Sequence, residues 1–481
     1  MINSNNIIVF ELILYLLWML IIGIYFSKKK FTQADYHLGG KKIVGWALAL
    51  SERATGESAW LILGLTGFAF FNGFSAIWIA IGCVFGIAFS WIFLAKKFRE
   101  EAEKYNVITY TEYLAKKHPE MGNFIRWYSS LIIIFFYIFY ISAQFEGGGK
   151  VLNITFQIPV IYGILISAIV VIIYSMAGGF FAVVFTDAIQ AIIMIMTFLA
   201  TPIFLVFYII KNNISLSPFF SLPDIFSLTG GFYGFTAGLM IFNNLSWFFG
   251  YLGGQPQLST RWMAMKNNSD VKKGMVIALL WTIFAYSGAI LIGILGNVLV
   301  NRADLKDPEF ILPTLVLKLF PAWFGGILLV GAIAAMMSTA SSQLLLTTTS
   351  ISEDIYHKAL GKNLSERKLV LISRITLLSV GVFALFLTFT SKNLIYTIVS
   401  WAWAGIGCSF SPLIILSFFW KRFNSAGAVA SLITGSVTTV IWMVSGLDKY
   451  ISSIAGSFVF AFLSAIIFAI IFEKSIVQNK N

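Results

Sequence analysis

Ala47–Trp60 reads Ala-Leu-Ala-Leu-Ser-Glu-Arg-Ala-Thr-Gly-Glu-Ser-Ala-Trp, and the fold turns on it. The stretch lies inside an apolar run from about Ile43 to Phe71, yet its middle carries Glu52, Arg53 and Glu57. Thr55, Gly56 and Ser58 surround these charges; all are poor helix formers that release backbone carbonyls for other partners. Charges at the centre of a membrane span are costly and usually mark a path for a solute or an ion. A run of about 29 residues at 1.5 Å each also exceeds a 30 Å hydrocarbon core, so the segment is tilted or broken. A tilted helix in which Arg53 and Glu57 neutralise each other four residues apart is the plain reading. An interrupted helix lining a site at the membrane midplane accounts for more of the residues.

Composition sets the class. Of 481 residues, 58% are hydrophobic and 11% charged, with a mean hydropathy of +0.86. Apolar runs recur along the chain, as in an all-α polytopic membrane protein. Thirteen spans are expected, at roughly 6–26, 43–71, 73–95, 124–149, 158–177, 180–210, 232–260, 273–300, 321–350, 367–390, 394–418, 425–445 and 453–472. The net charge of +12 invites a nucleic-acid reading, but its placement argues against one. Lys28–Lys30, Lys41, Lys42, Lys96, Lys97, Arg99, Lys116, Lys117, Arg261, Lys272, Lys273, Arg367, Lys368, Lys421 and Arg422 fall in alternate loops, the positive-inside pattern. The partner is therefore a lipid bilayer, in an inner, plasma-membrane setting, with the N-terminus outside and the C-terminus inside. Residues 1–26 lack a basic segment ahead of their apolar run and read as a retained helix, not a cleaved signal. Cys83 and Cys408 sit in separate spans, so neither a disulfide nor a metal site is expected; His37, His118 and His357 read as loop residues without ligand spacing.

Along the chain, Asp35–Lys41 is a compact turn into the first irregular span. Lys96–Arg126 is an amphipathic inner loop in which Thr109–Leu114 starts a short helix. Gly147–Lys150 has the look of a phosphate loop but lacks its spacing and the following Ser or Thr. Its glycines suit close helix contact, and Glu146 and Lys150 form a pair four residues apart. Asp187 is a lone acid in the sixth span and needs a basic partner or a cation. Gly250–Pro256 places three glycines and a proline in seven residues, which breaks the seventh span. Two broken helices five spans apart point to an inverted-repeat transporter. In the ninth span Ala335, Ser338, Thr339 and Ser342 share one face. Such a face either packs tightly against a neighbour or offers oxygens to a hard cation.

These stretches together resemble the sodium/solute symporter family, closest to its sodium/proline symporters. The similarity runs from Asp35–Gly40 to Trp420–Arg422 and is most specific at Gly179–Gln190, Gly250–Ala264, Ala334–Gln343 with Glu353–Tyr356, and Ser400–Pro412. It implies a leucine-transporter-like fold of inverted five-helix repeats: residues 1–42 a first helix and inner loop, 43–211 the first repeat, 231–420 the second, and 421–481 two further helices and a short tail. It also implies alternating access driven by sodium. By resemblance, Ala54, Glu57 and Ala335 through carbonyls, and Ser338 and Thr339 through hydroxyls, match the family's sodium position. Asp187 matches an acid on the inner ion path, and Ser58, Ala59, Tyr140, Trp247, Tyr251 and Gln255 match the solute pocket. Aromatic walls suit a small, partly apolar ring such as proline, with helix ends holding its carboxylate.

The sequence departs from the pattern near that pocket. Gly56 stands where proline symporters carry an aspartate, and Glu57 where they carry an apolar residue. Glu52, Arg53 and Ala59 replace small residues, and one glycine is inserted between Tyr251 and Gln255. Another solute (a sugar, sialic acid, a carboxylate or a different amine) is the alternative cargo. A membrane sensor would need an output domain, for which the stretch after about residue 472 is too short. No enzyme motif such as His-Glu-x-x-His or Gly-x-Ser-x-Gly is found, so the chain reads as a carrier and not an enzyme.

Overall fold

A computed structural model describes residues 4–28, 32–222, 224–305, 307–362, 364–390 and 395–473. Lys29 and Lys30 of the first basic cluster, and the tail beyond Glu473, lie outside the described residues. Among the described residues every regular element is helical. Ten helices among those residues are long and apolar enough to cross a membrane. The difference from thirteen lies in where helices merge and break. One of the ten, Val160–Lys211, carries both the fifth and sixth expected spans, and another, Trp60–Lys104, joins the end of the second to the third. The seventh is in pieces too short to count: Gly234–Leu245, Trp247–Gly250 and Pro256–Met263.

Glycine sets the sharpest of these bends. Within Val160–Lys211, Gly179 takes φ 54° and ψ −149°, a region only glycine enters freely. A Cβ there would also lie 2.7 Å from the Tyr36 ring. That ring belongs to a short helix, Gln33–Leu38, which starts with a capping box: Asp35 N–H donates to Thr32 Oγ1, and the Asp35 carboxylate takes the Thr32 N–H. The turn into the first broken helix is thus pinned against the kink of the sixth span.

The helix Ala322–Thr349 forms the centre of the molecule. Every residue from Leu328 to Thr349 is buried. It packs on Val160–Lys211, Gly122–Phe156 and Ser4–Ser27. Its small residues permit this approach, as expected where helices associate by close packing instead of by a hydrophobic effect. Ser4–Ser27, by contrast, lies at the periphery and leaves Phe10, Trp18, Ile21 and Tyr25 more than half exposed, a face suited to lipid.

Polar groups collect at the two ends of the bundle. At one end Arg99 donates to the Lys266 carbonyl, Asn268 to Glu100, Lys358 to Glu112 and the Gln33 N–H to Glu366. Glu112 belongs to the helix Tyr110–Lys117, capped by Thr109 as its sequence predicts. At the other end Lys150 reaches Glu309 at 2.6 Å and Asp307 at 3.0 Å. Glu146, the partner expected from spacing alone, stands farther off at 3.8 Å.

Two further expectations, on the histidines and on Arg261, are corrected here. His37 and His357 lie on helices, and His118 closes one; His37 bonds Thr349 at 2.7 Å, His118 bonds Ser417 at 2.8 Å, and His357 bonds Glu353 at 2.9 Å. Arg261, counted with the basic loops, is buried in the helix Pro256–Met263. Cys83 and Cys408 are both buried free thiols.

Candidate cation and solute site

The first broken helix ends at Gly56 and resumes at Trp60. Its hydrogen-bond ladder stops with Glu57 N–H donating to the Arg53 carbonyl at 3.1 Å. In an unbroken helix the Ala59 N–H would take the Thr55 carbonyl. Here it donates to Gln144 Oε1 at 3.0 Å instead, so the last carbonyls of the helix are free for other donors. The ninth-span helix supplies them. Ser338 Oγ donates to the Ala54 carbonyl at 3.0 Å and to the Ala335 carbonyl at 3.1 Å. Thr339 Oγ1 donates to the Thr55 carbonyl at 3.1 Å and more weakly to that of Ala54 at 3.5 Å. Four of the five expected cation ligands therefore meet in one buried web. The Glu57 carbonyl makes no hydrogen bond in it, whereas that of Thr55, which the sequence reading passed over, does.

Asp187 borders this web. Its Oδ2 accepts from Ser51 at 2.7 Å, Thr55 at 3.1 Å, Ser342 at 3.2 Å and Arg261 at 3.2 Å. Its Oδ1 is buried without a partner. Of the two roles open to this acid, the basic partner is present. Arg261 comes from the second broken helix and also donates to Ser51, Ser342 and the Gln257 carbonyl, so the two breaks are tied through one guanidinium.

The charges of the opening stretch form a second buried cluster. Arg53 donates through Nε and Nη2 to both carboxylate oxygens of Glu52, and through Nη1 to Glu57 at 2.9 Å. Glu57 Oε2 accepts from Tyr286 at 2.7 Å, and the Tyr286 and Tyr251 hydroxyls share a bond of 3.0 Å. Both carboxylates and the guanidinium are fully buried. The plain reading named Arg53–Glu57 as a pair; the structure makes Glu52 the tighter partner and leaves Glu57 as the second carboxylate on one cation.

The residues matched to the solute pocket also converge. Ser58 Oγ and Tyr140 OH are 3.0 Å apart. The Tyr251 ring lies 4.8 Å from that of Trp403, and the Tyr140 ring meets Trp403 edge-on at 6.3 Å. Gln255 Nε2 donates to the Trp403 carbonyl at 3.2 Å. Trp247 stacks on Trp60 at 4.4 Å, and Ala59 lies beside Gly147. The break from Tyr251 to Gln255 is built on Gly253, at φ 76°, and Gly254, where a Cβ would strike the Gly407 carbonyl at 2.5 Å. Pro256 then starts the next helix, where its missing N–H costs nothing. Beside Trp247 a cavity of about 520 Å³ opens, lined also by Tyr396, Trp401, Asp448 and Tyr450.

Trp60, Gln144, Tyr286 and Trp403 went unassigned in the sequence reading. Trp60 and Trp403 carried a weak signal, as bulky rings among small residues. Gln144 and Tyr286 carried none that distinguishes them from other polar residues in apolar helices.

A broken-helix carbonyl web beside an aromatic chamber is a carrier's architecture, and residues 36–435 match the sodium:solute symporter family. The chain belongs to the sodium:solute symporter family. It is accordingly a multi-pass membrane transporter and not an enzyme. This symporter is 35% identical over 457 residues to the high-affinity proline transporter PutP of Bacillus subtilis (strain 168), covering 94% of this chain and 96% of that protein. It is 32% identical to the osmoregulated proline transporter OpuE of the same organism (97% and 95% covered). Identity to the sodium/proline symporter of Escherichia coli (strain K12) is 30%, with 95% and 91% covered. Among solved structures it is similar to a substrate-bound, outward-open Na+-coupled sialic acid symporter, with a TM-score of 0.79 at 20% identity and 98% of each chain covered. It is also similar to a nucleobase-cation-symport-1 family transporter in a closed conformation, with a TM-score of 0.58 at 12% identity and 94% and 96% covered. At these identities the likeness is one of fold, an all-helical transporter fold shared along nearly the whole chain.

Proposed function

We propose that this symporter takes up proline, or a closely similar small amino acid, with sodium by alternating access. The observation that carries the reading is the pairing of freed Ala54 and Thr55 carbonyls with the Ser338 and Thr339 hydroxyls. An all-oxygen, uncharged donor set fits a hard monovalent cation. Ala54, Glu57 and Ala335 through carbonyls, and Ser338 and Thr339 through hydroxyls, would hold sodium, which supplies the driving charge. Asp187, tied to Thr55 and Ser342, lies on the inner path of the ion.

Ser58, Ala59, Tyr140, Trp247, Tyr251 and Gln255 form the solute pocket in this reading, with Trp60 and Trp403 as added walls. The proline names of three relatives support the cargo. A compact, largely apolar ring of pyrrolidine size suits aromatic walls, and the helix ends at the breaks suit a carboxylate.

Two five-helix repeats, 43–211 and 231–420, follow 1–42 and precede 421–481, with thirteen crossings in all. The 52 residues of Val160–Lys211 support this count: at 1.5 Å each they run to about 78 Å, two membrane thicknesses, with the Gly179 kink between them. Arg99, Lys117 and Lys358 share one end of the bundle with their acidic partners, which supports that end as cytoplasmic, the N-terminus outside and the C-terminus inside.

The second reading keeps the carrier and changes the cargo to another amine. The Glu57 carboxylate, beyond what Arg53 neutralises, favours it. Reconstituted vesicles with an inward sodium gradient test both. Proline accumulation that collapses when potassium replaces sodium is expected. Sodium-driven uptake of another amine without proline would select the second reading, and uptake indifferent to sodium would overturn both.

A further inference from the structure

We propose that Gln144 is a positioning residue for the cation: its side-chain carbonyl holds the first broken helix open and so keeps the Ala54 and Glu57 carbonyls available to sodium. The inference rests on the sodium reading above and adds a residue that lies outside its ligand set.

The break runs over Glu57, Ser58 and Ala59. Glu57 leaves helical geometry at φ −110° and ψ 61°, and by Ala59 the backbone has returned to it at φ −48° and ψ −31°. In an uninterrupted helix the N–H groups of Ser58, Ala59 and Leu61 would claim the carbonyls of Ala54, Thr55 and Glu57. Two of those three carbonyls belong to the cation set, so closing the break would consume them. Here the Leu61 N–H turns to the Ser58 carbonyl at 3.1 Å, and the Trp60 N–H to the Ser58 hydroxyl at 3.3 Å. Both are local caps of the kind that start a helix. The Ala59 N–H differs, because its acceptor, Gln144 Oε1 at 3.0 Å, comes from another helix.

Ala59 and Gln144 are both buried. A buried N–H needs an acceptor. The helical ladder offers the Thr55 carbonyl, which closes the break; Gln144 offers an alternative that leaves it open. Gln144 Nε2 is buried without a partner, so the amide's hydrogen bonding rests on Oε1. A half-satisfied amide is a costly choice for packing alone, which points to the Ala59 bond as the reason for the residue. One turn earlier on the same face of Gly122–Phe156, the Tyr140 hydroxyl meets Ser58 Oγ. Two rungs thus join this helix to the break. Gly147 admits the approach, since a Cβ there would lie 3.2 Å from that of Ala59. Tyr140 belongs to the solute pocket, so one helix face meets the solute and sets the cation's carbonyls.

The test is sodium titration of the unfolding temperature of the purified protein, with potassium holding ionic strength constant. Gln144→Met keeps the bulk and loses the acceptor; it should raise the half-saturating sodium concentration about tenfold. Gln144→Glu keeps an acceptor and should bind sodium at least as tightly as the wild type. Ala59→Pro deletes the donor and bars the ladder from re-forming through that residue, and the Ala59 φ of −48° lies close to what proline takes. In that background Gln144→Met should change the sodium requirement no further, an outcome that a purely structural glutamine would not give. A wild-type sodium requirement in Gln144→Met, or an equal loss with Glu and Met, would overturn the proposal. So would a Met substitution as harmful in the Ala59→Pro background as alone. Should Gln144→Met fail to fold because the Ala59 N–H is orphaned, adding Ala59→Pro should restore folding, and failure to do so overturns the proposal too. A wild type whose unfolding ignores sodium would refute the sodium reading and this inference with it; each of the other failures leaves that reading standing.

Discussion

Glutamine in place of Glu52 and glutamine in place of Glu57 should separate two tasks within one buried cluster. Glu52 holds Arg53 through two bonds and also accepts from Trp91 at 3.1 Å. Glu52→Gln sets an amide NH2 against one of those donors and leaves the guanidinium with Glu57 and a 3.3 Å contact to Thr282. Removing the main partner of a buried charge costs about 3–5 kcal/mol. Glu57→Gln is milder. Its carbonyl keeps the Arg53 bond, its amide can donate to the Tyr286 hydroxyl, and Arg53 retains Glu52. Exchanging charge-assisted bonds for neutral ones costs about 1–2 kcal/mol. In transport the order reverses. Glu57 is the carboxylate in excess over Arg53, and with its own carbonyl a proposed ligand it stands within about 10 Å of the cation, where a unit charge at an effective dielectric of about 20 contributes about 1.7 kcal/mol or more. Glu57→Gln should therefore weaken sodium activation by at least about fifteenfold. Thermal unfolding of the purified variants and sodium titration of uptake in vesicles measure the two effects. If Glu57→Gln unfolds as readily as Glu52→Gln while its sodium activation is unchanged, the division of labour is wrong and Glu57 serves only the fold.

Ser338→Ala and Thr339→Ala should each raise the sodium concentration for half-maximal uptake about tenfold, with unfolding shifted by no more than about 1 kcal/mol, because each removes one hydroxyl from a web with several donors; unchanged sodium dependence in both would exclude the ligand set. Trp247→Ala should raise the transport constant for proline while protein levels stay near normal, since it strips the stacking partner of Trp60; an unaltered constant would move the pocket elsewhere. Asp187→Asn should destabilise by about 3–5 kcal/mol through Arg261, and unfolding at the wild-type temperature would show that Ser51 and Ser342 suffice for that guanidinium. Glu112 adds a pH dependence: burial pushes its carboxyl up, but Lys358, the Ile108 N–H and Lys116 outweigh it and hold it below the usual carboxylate range. A depressed folded-state pKa gives stability that is full above the ordinary carboxylate pKa and lost as pH falls through the lowered value. Glu112→Gln should flatten that acid limb of unfolding against pH, and a limb of wild-type steepness would clear Glu112 of it.

The backbone breaks were legible because glycine and proline announce them. Gly56 and the run from Gly250 to Pro256 interrupt helices where the sequence places the interruptions. Hydroxyls at helical spacing likewise told which face of the ninth span carries oxygen donors. Partners were harder to read. Arg261 sits near Lys266 and the polar Asn267–Asp270 stretch and reads as a loop charge, yet it folds inward because Asp187, 74 residues earlier, awaits it. Lys150 follows Glu146 at the spacing of a helical pair and instead closes on Glu309, 159 residues away. Local spacing fixes which side chains are neighbours on one helix; only packing decides which distant carboxylate comes closer. The number of crossings was blurred for a related reason. Gly179 turns the chain out of helical geometry with no loop between the two sides, so one unbroken helical stretch carries two spans by length.

The contacts between Ser338, Thr339 and the Ala54, Thr55 and Ala335 carbonyls have a consequence for turnover. Of the carbonyls that would face a cation, those of Ala54 and Ala335 already receive a hydroxyl proton, so those protons act as placeholders. Loading at those two carbonyls would then require only that the O–H groups swivel, exchanging one oxygen-bound positive partner for another. A carrier must surrender its ion on every cycle; a seat that closes upon itself as the ion leaves makes release as accessible as capture.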